Sequence, residues 1–465
     1  MSPPSPRASS AALSHLEENA ERRLAELFDF LRIPSVSAKS EHRDDLRAAA
    51  DWLADRLADA GLTAEVLPTE GHPVVLGEWR GAGPDAPTLL IYGHYDVQPP
   101  EPLELWSSPA FEPEVRDGRV YARGAADDKG QLYMHVKALE AHLATEGALP
   151  LNVIVLAEGE EEVGSPNLVP FVKAHRERLA ADVVLISDSA MFDKGMPSLL
   201  FSLRGLAYAE VRVRAAASDL HSGMYGGAVP NPATALARMI ATLHDAEGRI
   251  AIAGFHDDVI EWGEALRDEI RALPFDEERF RDGVGAPALA GEAGWSVLER
   301  LWIRPTCEVN GLLSGWTGEG AKTVLPAEAM AKISFRLVPD QDPDRAIELL
   351  TRHLESVAPE GVTLEVSALH GGRPWKADPS GPLFDAAATA LEEAFGTPPV
   401  RVGEGGSIPI VVEFEEVLDC PALLVGFALP GCRMHAPNEW FGVEEFDRGT
   451  AALVRLYEEL AAALG

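Results

Sequence analysis

Cysteine is scarce in this chain: its 465 residues include only Cys307, Cys420 and Cys432. None of them forms a Cys-x-x-Cys pair, so the sequence indicates neither a thiolate zinc site nor a disulfide framework. Apolar runs long enough to span a bilayer are also lacking. Residues 1–7 are polar and rich in proline, without the apolar segment of a secretory signal. These features are typical of a protein in a reducing cytoplasm, which is the location we expect.

Basic residues are few as well. The chain has 40 Lys and Arg against 74 Asp and Glu, a formal net charge of −34. A surface of this sign argues against nucleic acid or anionic membranes as partners, and we attribute the acidic excess mainly to solubility. The hydrophobic fraction of 46% is that of a globular protein. The length exceeds what one core usually accommodates, so we expect two domains.

The periodicity of apolar residues divides the chain in the same way. Short apolar runs alternate with helical patterns up to about residue 202, which predicts an α/β layer structure. Residues 207–215 and 330–338 alternate instead between apolar and polar side chains, as in half-exposed strands. We predict a mixed-sheet α/β/α domain from residues 1–202 and 374–465, with an α+β domain inserted at 203–373. The acidic stretch 246–304 gives no clear pattern.

The most informative segment lies at the end of the apolar run 88–92, where Gly93 is followed by His94, Tyr95 and Asp96. Alternate side chains of an extended backbone share a face. Asp96 is therefore placed to support the imidazole of His94, as carboxylates do for metal-bound histidines.

Other acids and a second histidine recur at or just after predicted strand ends, where open α/β sheets bind their ligands. Two divalent metals about 3.5–4 Å apart can share a hydroxide and polarise a carbonyl. Such a pair needs one carboxylate that bridges the two metals, and each metal needs in addition a histidine and a carboxylate of its own. The donors that the chain offers are His94, Asp127, Glu162, Asp188 and His435. Zn²⁺ and Mn²⁺ accept such mixed ligands. Glu161 points away from its neighbour Glu162 and can take the proton from water.

No single one of these fragments is specific, because His-x-Asp and Glu-Glu occur often by chance. His435, between Met434 and Ala436, could instead be a buried core histidine. The run of acids over 158–162 leaves open which glutamate pair is functional, and Val163-Gly164-Ser165 favours Glu161 and Glu162. The remaining histidines in helical patterns are interpreted as structural: His135, His142, His175 and His353.

Taken together, the motifs resemble a known family from His94 to His435. The chain is similar to the dinuclear metallopeptidases that include cytosolic non-specific dipeptidases, carnosinases, glutamate carboxypeptidase and aminoacylases, and most of all to the carnosinase-like dipeptidases. The matching segments are 93–99, 123–130, 161–165, 186–188, 219–223, 321–326, 335–339, 404–409 and His435.

The resemblance implies a zinc-peptidase fold for the first domain and two divalent ions per subunit, Zn²⁺ as the first choice and Mn²⁺ as the second. Asp127 would bridge the two metals. His94 and Asp188 would complete one site, and Glu162 and His435 the other.

The resemblance also implies catalytic and substrate-binding roles. Asp96 would orient His94, and Glu161 would act as general base and then as proton donor to the leaving amine. The inserted domain would be a lid and dimerisation domain, with His221 reaching the neighbouring subunit's site in a homodimer. Arg336 would hold the substrate's terminal carboxylate. Further candidates for substrate contact are Thr323, Ser407 and His370.

We therefore predict an enzyme that hydrolyses the peptide bond of dipeptides or short peptides through a metal-bridging hydroxide, with Glu161 as the base. Aspartate rather than glutamate at position 188 favours a peptidase over a deacylase, by the same resemblance. An N-acyl-amino-acid deacylase or a carboxypeptidase of this family is the alternative. A metal- or peptide-binding protein without activity is a further alternative, although such a protein would not need Glu161.

Overall fold

A computed structural model describes residues 10–406, 408 and 410–465. The strands are β1 (Thr63–Leu67), β2 (Val74–Trp79), β3 (Thr88–His94), β4 (Glu114–Arg116), β5 (Arg119–Tyr121), β6 (Asn152–Glu158), β7 (Val183–Ile186), β8 (Ser198–Leu203), β9 (Gly205–Arg214), β10 (Leu220–His221), β11 (Thr306–Ser314), β12 (Val324–Leu325), β13 (Glu328–Leu337), β14 (Thr363–Gly372), β15 (Trp375–Lys376), β16 (Val400–Glu404), β17 (Ala422–Leu424) and β18 (Trp440–Gly442). The helices are α1 (Ser10–Glu18), α2 (Ala20–Leu31), α3 (Arg43–Asp59), α4 (Lys129–Glu146), α5 (Leu168–Ala174), α6 (Ser222–Tyr225), α7 (Pro232–Ile240), α8 (Glu264–Ala272), α9 (Glu277–Gly283), α10 (Val297–Trp302), α11 (Pro343–Val357), α12 (Pro382–Phe395), α13 (Ile410–Leu418) and α14 (Val443–Leu464).

The described residues form two compact units. The first contains residues 10–201 together with 377–402 and 410–465. The second contains residues 202–376 together with 403–406 and 408. The lid and dimerisation roles of residues 203–373 stay predictions.

The first unit is built on a six-stranded sheet with the order β1-β2-β6-β3-β7-β17. β6, β3, β7 and β17 run parallel, whereas β1 and β2 are antiparallel to their neighbours. The sheet is therefore mixed, as predicted.

Successive side chains of the central strand β3 point to opposite faces of the sheet. Ile91 belongs to the large core shared with α1–α4, α12 and α14. Tyr92 faces the other way, and its ring lies 5.1 Å from that of Phe414 on α13. Both faces of the sheet are thus covered, which explains why β3 is buried along its whole length. The helices on both faces give the α/β/α architecture expected from the sequence.

The second unit centres on an antiparallel sheet with the order β11-β13-β9-β14. Its strands alternate as the sequence predicted: on β13 the buried residues include Ile333 and Phe335, and on β9 they include Val211. α7 and α11 pack against this sheet. The stretch 246–304, which had no clear pattern, contains α8, α9 and α10.

No helix in the described part of the chain combines the length and the apolar character that a membrane crossing requires.

Candidate metal centre

The parallel strands of the first unit bring several polar side chains to one edge of the sheet. His94 is the last residue of β3 and is fully buried. Asp188 follows the neighbouring strand β7, and Glu162 follows β6 within a short 3₁₀ turn, Glu161–Val163. Because parallel strands end at the same edge, residues distant in sequence become neighbours there.

Asp96 connects His94 to the glutamate turn. The Nδ1 atom of His94 lies 3.1 Å from the backbone oxygen of Asp96 and 3.3 Å from its Oδ1. The two carboxylate oxygens of Asp96 accept hydrogen bonds from the backbone N–H groups of Glu161 (3.3 Å) and Glu162 (3.2 Å). Asp96 is fully buried. Its carboxylate therefore fixes both the imidazole and the turn that carries the two glutamates.

Asp127 lies between the two candidate histidines. Its Oδ1 is 3.1 Å from Nε2 of His94, and its Oδ2 is 2.8 Å from Nε2 of His435. Asp127 precedes α4, and the Asp127–Asp128 peptide bond is cis. One carboxylate thus contacts both imidazoles, which is the position that a bridging ligand must occupy.

Two groups of possible ligands share Asp127. One consists of His94, Asp127 and Asp188, and the other of Asp127, Glu162 and His435, with the ligand atoms of each group within 4.8 Å of one another. The Nε2 atom of His94 is 3.9 Å from Asp188 Oδ2, and that of His435 is 3.3 Å from Glu162 Oε2. All five side chains predicted as metal ligands therefore converge on one place.

His435 is not a core histidine, because 57% of its side chain is exposed. It lies in the loop before β18 with a φ of 59°, in the left-handed region. Its assignment as a ligand stays a prediction, as do those of the other four residues.

The electrostatics of the cluster favour bound cations. Burial raises the pKa of Asp188 to about 7 and moves that of Glu161 well above its usual value. Burial alone would also raise the pKa of Asp127, but hydrogen bonds from His435 and His94 outweigh it and hold that pKa below its usual value. Hydrogen bonds to Asp127 and Glu162 raise the pKa of His435 to about 10. Crowded carboxylates in a buried place are stabilised by divalent positive charge.

The donor set fits two divalent cations. It supplies imidazole nitrogens and carboxylate oxygens, the mixture that Zn²⁺ and Mn²⁺ accept. His94 and Asp188 can hold one cation, Glu162 and His435 the other, and Asp127 can contact both. Glu161 belongs to neither ligand group, yet it interacts electrostatically with His94 and Asp188.

Two further residues, Glu439 and Gln98, support the centre, and neither was assigned a role from its sequence motif. Glu439 is fully buried, and its Oε2 accepts a hydrogen bond from Arg123 (2.6 Å). Its carboxylate also accepts from the backbone N–H groups of Gly124, Ala126 and Asp127 at 2.9–3.2 Å. Gln98 donates to Glu162 Oε2 at 2.7 Å. Gln98 and Arg123 lie within the matching segments and Glu439 lies four residues after His435, but only the tertiary contacts reveal what these side chains do.

Removing the Glu439 carboxylate will destabilise the protein. We expect Glu439→Ala to lower the free energy of unfolding by about 3–5 kcal/mol, because Arg123 would be left as a buried charge without its partner. Denaturant unfolding checks this value. The control is Asp51→Ala, which breaks an ion pair with Arg47 whose two side chains are half exposed and should cost less than about 1 kcal/mol. Equal effects of the two substitutions would contradict the structural role of Glu439.

The predicted substrate residues lie in the second unit. His221 is exposed at the start of α6, and its Nδ1 accepts a hydrogen bond from the Gly223 N–H at 3.0 Å. The neighbouring Thr323 accepts through its carbonyl oxygen from Ser222 N–H at 3.1 Å. His370 is exposed on β14, with its ring 5.0 Å from that of Tyr208. Ser407 lies outside the described residues.

Arg336 lies half-buried on β13, and burial lowers the pKa of its guanidinium. A second arginine, Arg204, lies nearby and was missed. Burial, followed by the charge of Arg336, lowers the pKa of Arg204 to about 10. Its Nη1 is buried and has no hydrogen-bond partner. A buried guanidinium N–H group without an acceptor favours an anion as its partner.

Comparison with known proteins now decides the family. Residues 90–459 match the family described as Peptidase family M20/M25/M40. The chain belongs to this peptidase family. The family resemblance, the fold class and the prediction of a hydrolase acting on peptide bonds are thereby confirmed.

Three similar proteins illustrate the relationship. The chain is 32% identical to the Cys-Gly metallodipeptidase dug1 of Schizosaccharomyces pombe, over 96% of this chain and 97% of that protein. The crystal structure of human carnosine dipeptidase 1 covers 99% of this chain, with 100% of that chain matched, at 28% identity and a TM-score of 0.84. An M20 family metallo-carboxypeptidase, Sso-CP2 from Sulfolobus solfataricus, is 34% identical with a TM-score of 0.84, over 95% of this chain and 99% of that one.

Proposed function

We propose that this protein is a dinuclear metal-dependent dipeptidase. The observation that carries the proposal is the position of Asp127, which contacts His94 and His435 and belongs to both groups of possible ligands. Two divalent cations at such a centre, Zn²⁺ or alternatively Mn²⁺, supply Lewis acidity and make water a nucleophile near neutral pH. The dipeptidases among the relatives support the choice of substrate class.

Glu161 moves the protons in this proposal. It stands beside the centre without being part of either ligand group, so its carboxylate is available to take a proton from the attacking water and to deliver it to the leaving amine. Asp96 holds the Glu161 backbone N–H and the His94 imidazole. It therefore acts as a positioning residue that fixes the positions of the base Glu161 and of the ligand His94 relative to each other.

Arg336 and Arg204 bind the substrate's terminal carboxylate in our proposal. A guanidinium matches a carboxylate with two parallel hydrogen bonds. The unpartnered Nη1 of Arg204 supports this assignment, since a buried donor without an acceptor is costly until an anion arrives.

A carboxypeptidase is the second candidate. The similarity to the Sulfolobus metallo-carboxypeptidase favours it, and the same arginine pair would serve it, because both classes of substrate end in a free carboxylate.

Substrate preference separates these candidates. We expect unblocked dipeptides such as Cys-Gly and β-Ala-His to be cleaved with a kcat/KM at least about tenfold above that of longer peptides and of N-acetylated amino acids, a difference of roughly 1.4 kcal/mol. Parallel assays of the three substrate classes measure it. A preference for longer peptides with release of the last residue would identify a carboxypeptidase instead. As a control, a chelator should abolish all activity, and Zn²⁺ or Mn²⁺ should restore it. Binding without turnover would point to a non-catalytic protein.

We further propose a homodimer in which His221 serves the neighbouring subunit's site. Because Nδ1 of His221 accepts from Gly223 N–H, the proton of the neutral ring lies on Nε2, which can donate to an oxyanion. Mixing His221→Ala with Glu161→Gln subunits should then restore about a quarter of the wild-type activity through mixed dimers of two-fold symmetry. Each variant alone is the control. Mixtures no more active than the two variants measured separately would contradict a shared site.

We also propose residence in the cytoplasm. The three cysteines are all buried free thiols, which suits a reducing compartment.

A further inference from the structure

A third group of metal-ligating side chains lies at the end of α4. His142 and Glu146 are one turn apart on this helix, and Glu458 reaches them from α14. One ligand atom of each lies within 4.8 Å of the other two. None of these residues belongs to the centre that contains Asp127, and the sequence analysis had interpreted His142 as structural.

The imidazole of His142 is oriented as a ligand would be. The ring is fully buried, and its Nε2 lies 3.1 Å from the carbonyl oxygen of Val454, so Nε2 carries the proton and donates it. Nδ1 then presents its lone pair. This atom is buried without a hydrogen-bond partner, and it faces Glu146 Oε2 at 3.8 Å. Metal-bound histidines have this arrangement, with one nitrogen donating to a carbonyl and the other bound to the ion.

A simple His142–Glu146 ion pair does not account for this geometry. At 3.8 Å the two atoms are too far apart for a hydrogen bond. Buried nitrogens in native proteins are nearly always satisfied by some partner. The partner that the surroundings favour is a cation, because two carboxylates flank the lone pair.

The end of α4 adds to the negative potential. Glu146 is the last residue of the helix, where the macrodipole places partial negative charge and where a carboxylate is unfavourable by itself. No basic residue lies in the last turn of α4, which the structure describes in full. A cation at this point would neutralise Glu146 and the partial negative charge of the helix end together.

We propose that His142, Glu146 and Glu458 bind one divalent transition-metal cation, best matched by Zn²⁺, which joins α4 to the C-terminal helix α14. Zinc takes one imidazole nitrogen and carboxylate oxygens at about 2.0–2.2 Å, so its ligand atoms lie roughly 3.3 Å apart. His142 Nδ1 and Glu146 Oε2 are 3.8 Å apart, and the three ligand atoms lie within 4.8 Å of one another. Water completes the coordination, since the Glu146 side chain is 37% exposed. The cation links α4 and α14, which already pack on each other.

The number of bound zinc ions per chain tests this proposal. Four full-length proteins are compared: the wild type, Glu146→Gln, Glu458→Gln and the control Glu459→Gln. Each is equilibrated with Zn²⁺, desalted to remove weakly bound metal, and analysed by elemental mass spectrometry. We expect the wild type and the control to retain one more zinc ion per chain than either of the other variants, while the dipeptidase activity of all four stays the same. The glutamates are chosen because replacing the buried His142 could prevent folding.

Crystals of the wild type soaked in Zn²⁺ locate the ion. We expect an anomalous difference peak within coordination distance of His142 Nδ1 and both carboxylates, and no such peak in Glu458→Gln crystals. Equal zinc counts in all four proteins would overturn the proposal. A loss of zinc in the Glu459→Gln control, or the absence of an anomalous peak near His142 Nδ1 in the wild type, would also overturn the proposal. The three side chains would then form a polar contact without a metal function.

Discussion

Glu161→Gln will lower kcat by about 10²–10⁴-fold, the usual contribution of general acid–base catalysis, while the bound metal stays unchanged. The substitution keeps the size of the side chain and removes its capacity to exchange a proton. Glu161 belongs to neither ligand group, but it interacts electrostatically with His94 and Asp188. A loss of turnover with an intact metal content and an unchanged melting temperature is therefore the expected combination.

The matched control is Glu160→Gln, one residue earlier in the same acidic run. The Oε2 atom of Glu160 accepts a hydrogen bond from Asn167 at 2.8 Å, and an amide oxygen can accept the same bond. We expect this variant to retain most of its activity. Steady-state kinetics and metal analysis of both variants decide between the neighbouring glutamates. If Glu161→Gln turned over dipeptides at a near-normal rate, its role as the base would be wrong.

Asp127→Asn should have the largest effect of any single substitution. Its two oxygens contact His94 and His435, so the loss of its charge weakens both halves of the centre at once. We expect the purified variant to retain neither catalytic cation and to lose activity by at least roughly 10⁴-fold, since metal ions supply several kcal/mol of transition-state stabilisation. Metal analysis and kinetics measure the two effects.

Asp128→Asn is the control for this experiment. Asp128 is also buried, but its Oδ2 accepts from the backbone N–H of His94 at 3.2 Å, and it belongs to neither ligand group. Asparagine can accept the same hydrogen bond, so this variant should retain its metals. An Asp127→Asn protein with a full complement of metal would show that Asp127 is not the bridge.

The elements that the sequence predicted best have strong periodicity. β13 alternates between buried and partly exposed residues along its whole length, so its apolar face could be read from the sequence. β3 is buried throughout and ends at His94, which is why its motif was visible. In such segments the hydrophobic pattern and the tertiary environment agree.

In other segments the hydrophobic pattern was not sufficient to predict the secondary structure. The break between α1 and α2 is one example: Asn19 separates the two helices and donates its side-chain N–H to the carbonyl oxygen of His15. Short helices in 246–304 were not predicted, because two turns contain too few residues to establish a period. A local signal existed for one of them: Ser296 and Glu299 form a capping box at the start of α10.

The candidate centre likewise contains residues that the sequence motifs identified and residues that only the structure revealed. Its five possible ligands were identified from motifs, and the structure brings them together. Glu439, Arg204 and His142 needed the tertiary structure, because their importance depends on contacts across many intervening residues. A buried carboxylate such as Glu439 looks like any loop acid until its partner Arg123 is seen.

Anomalous diffraction from crystals grown with Zn²⁺ tests the central claim most directly. The account predicts two peaks roughly 3.5–4 Å apart on either side of the Asp127 carboxylate, one near His94 and Asp188 and the other near Glu162 and His435. A single peak, or none among these five side chains, would contradict it.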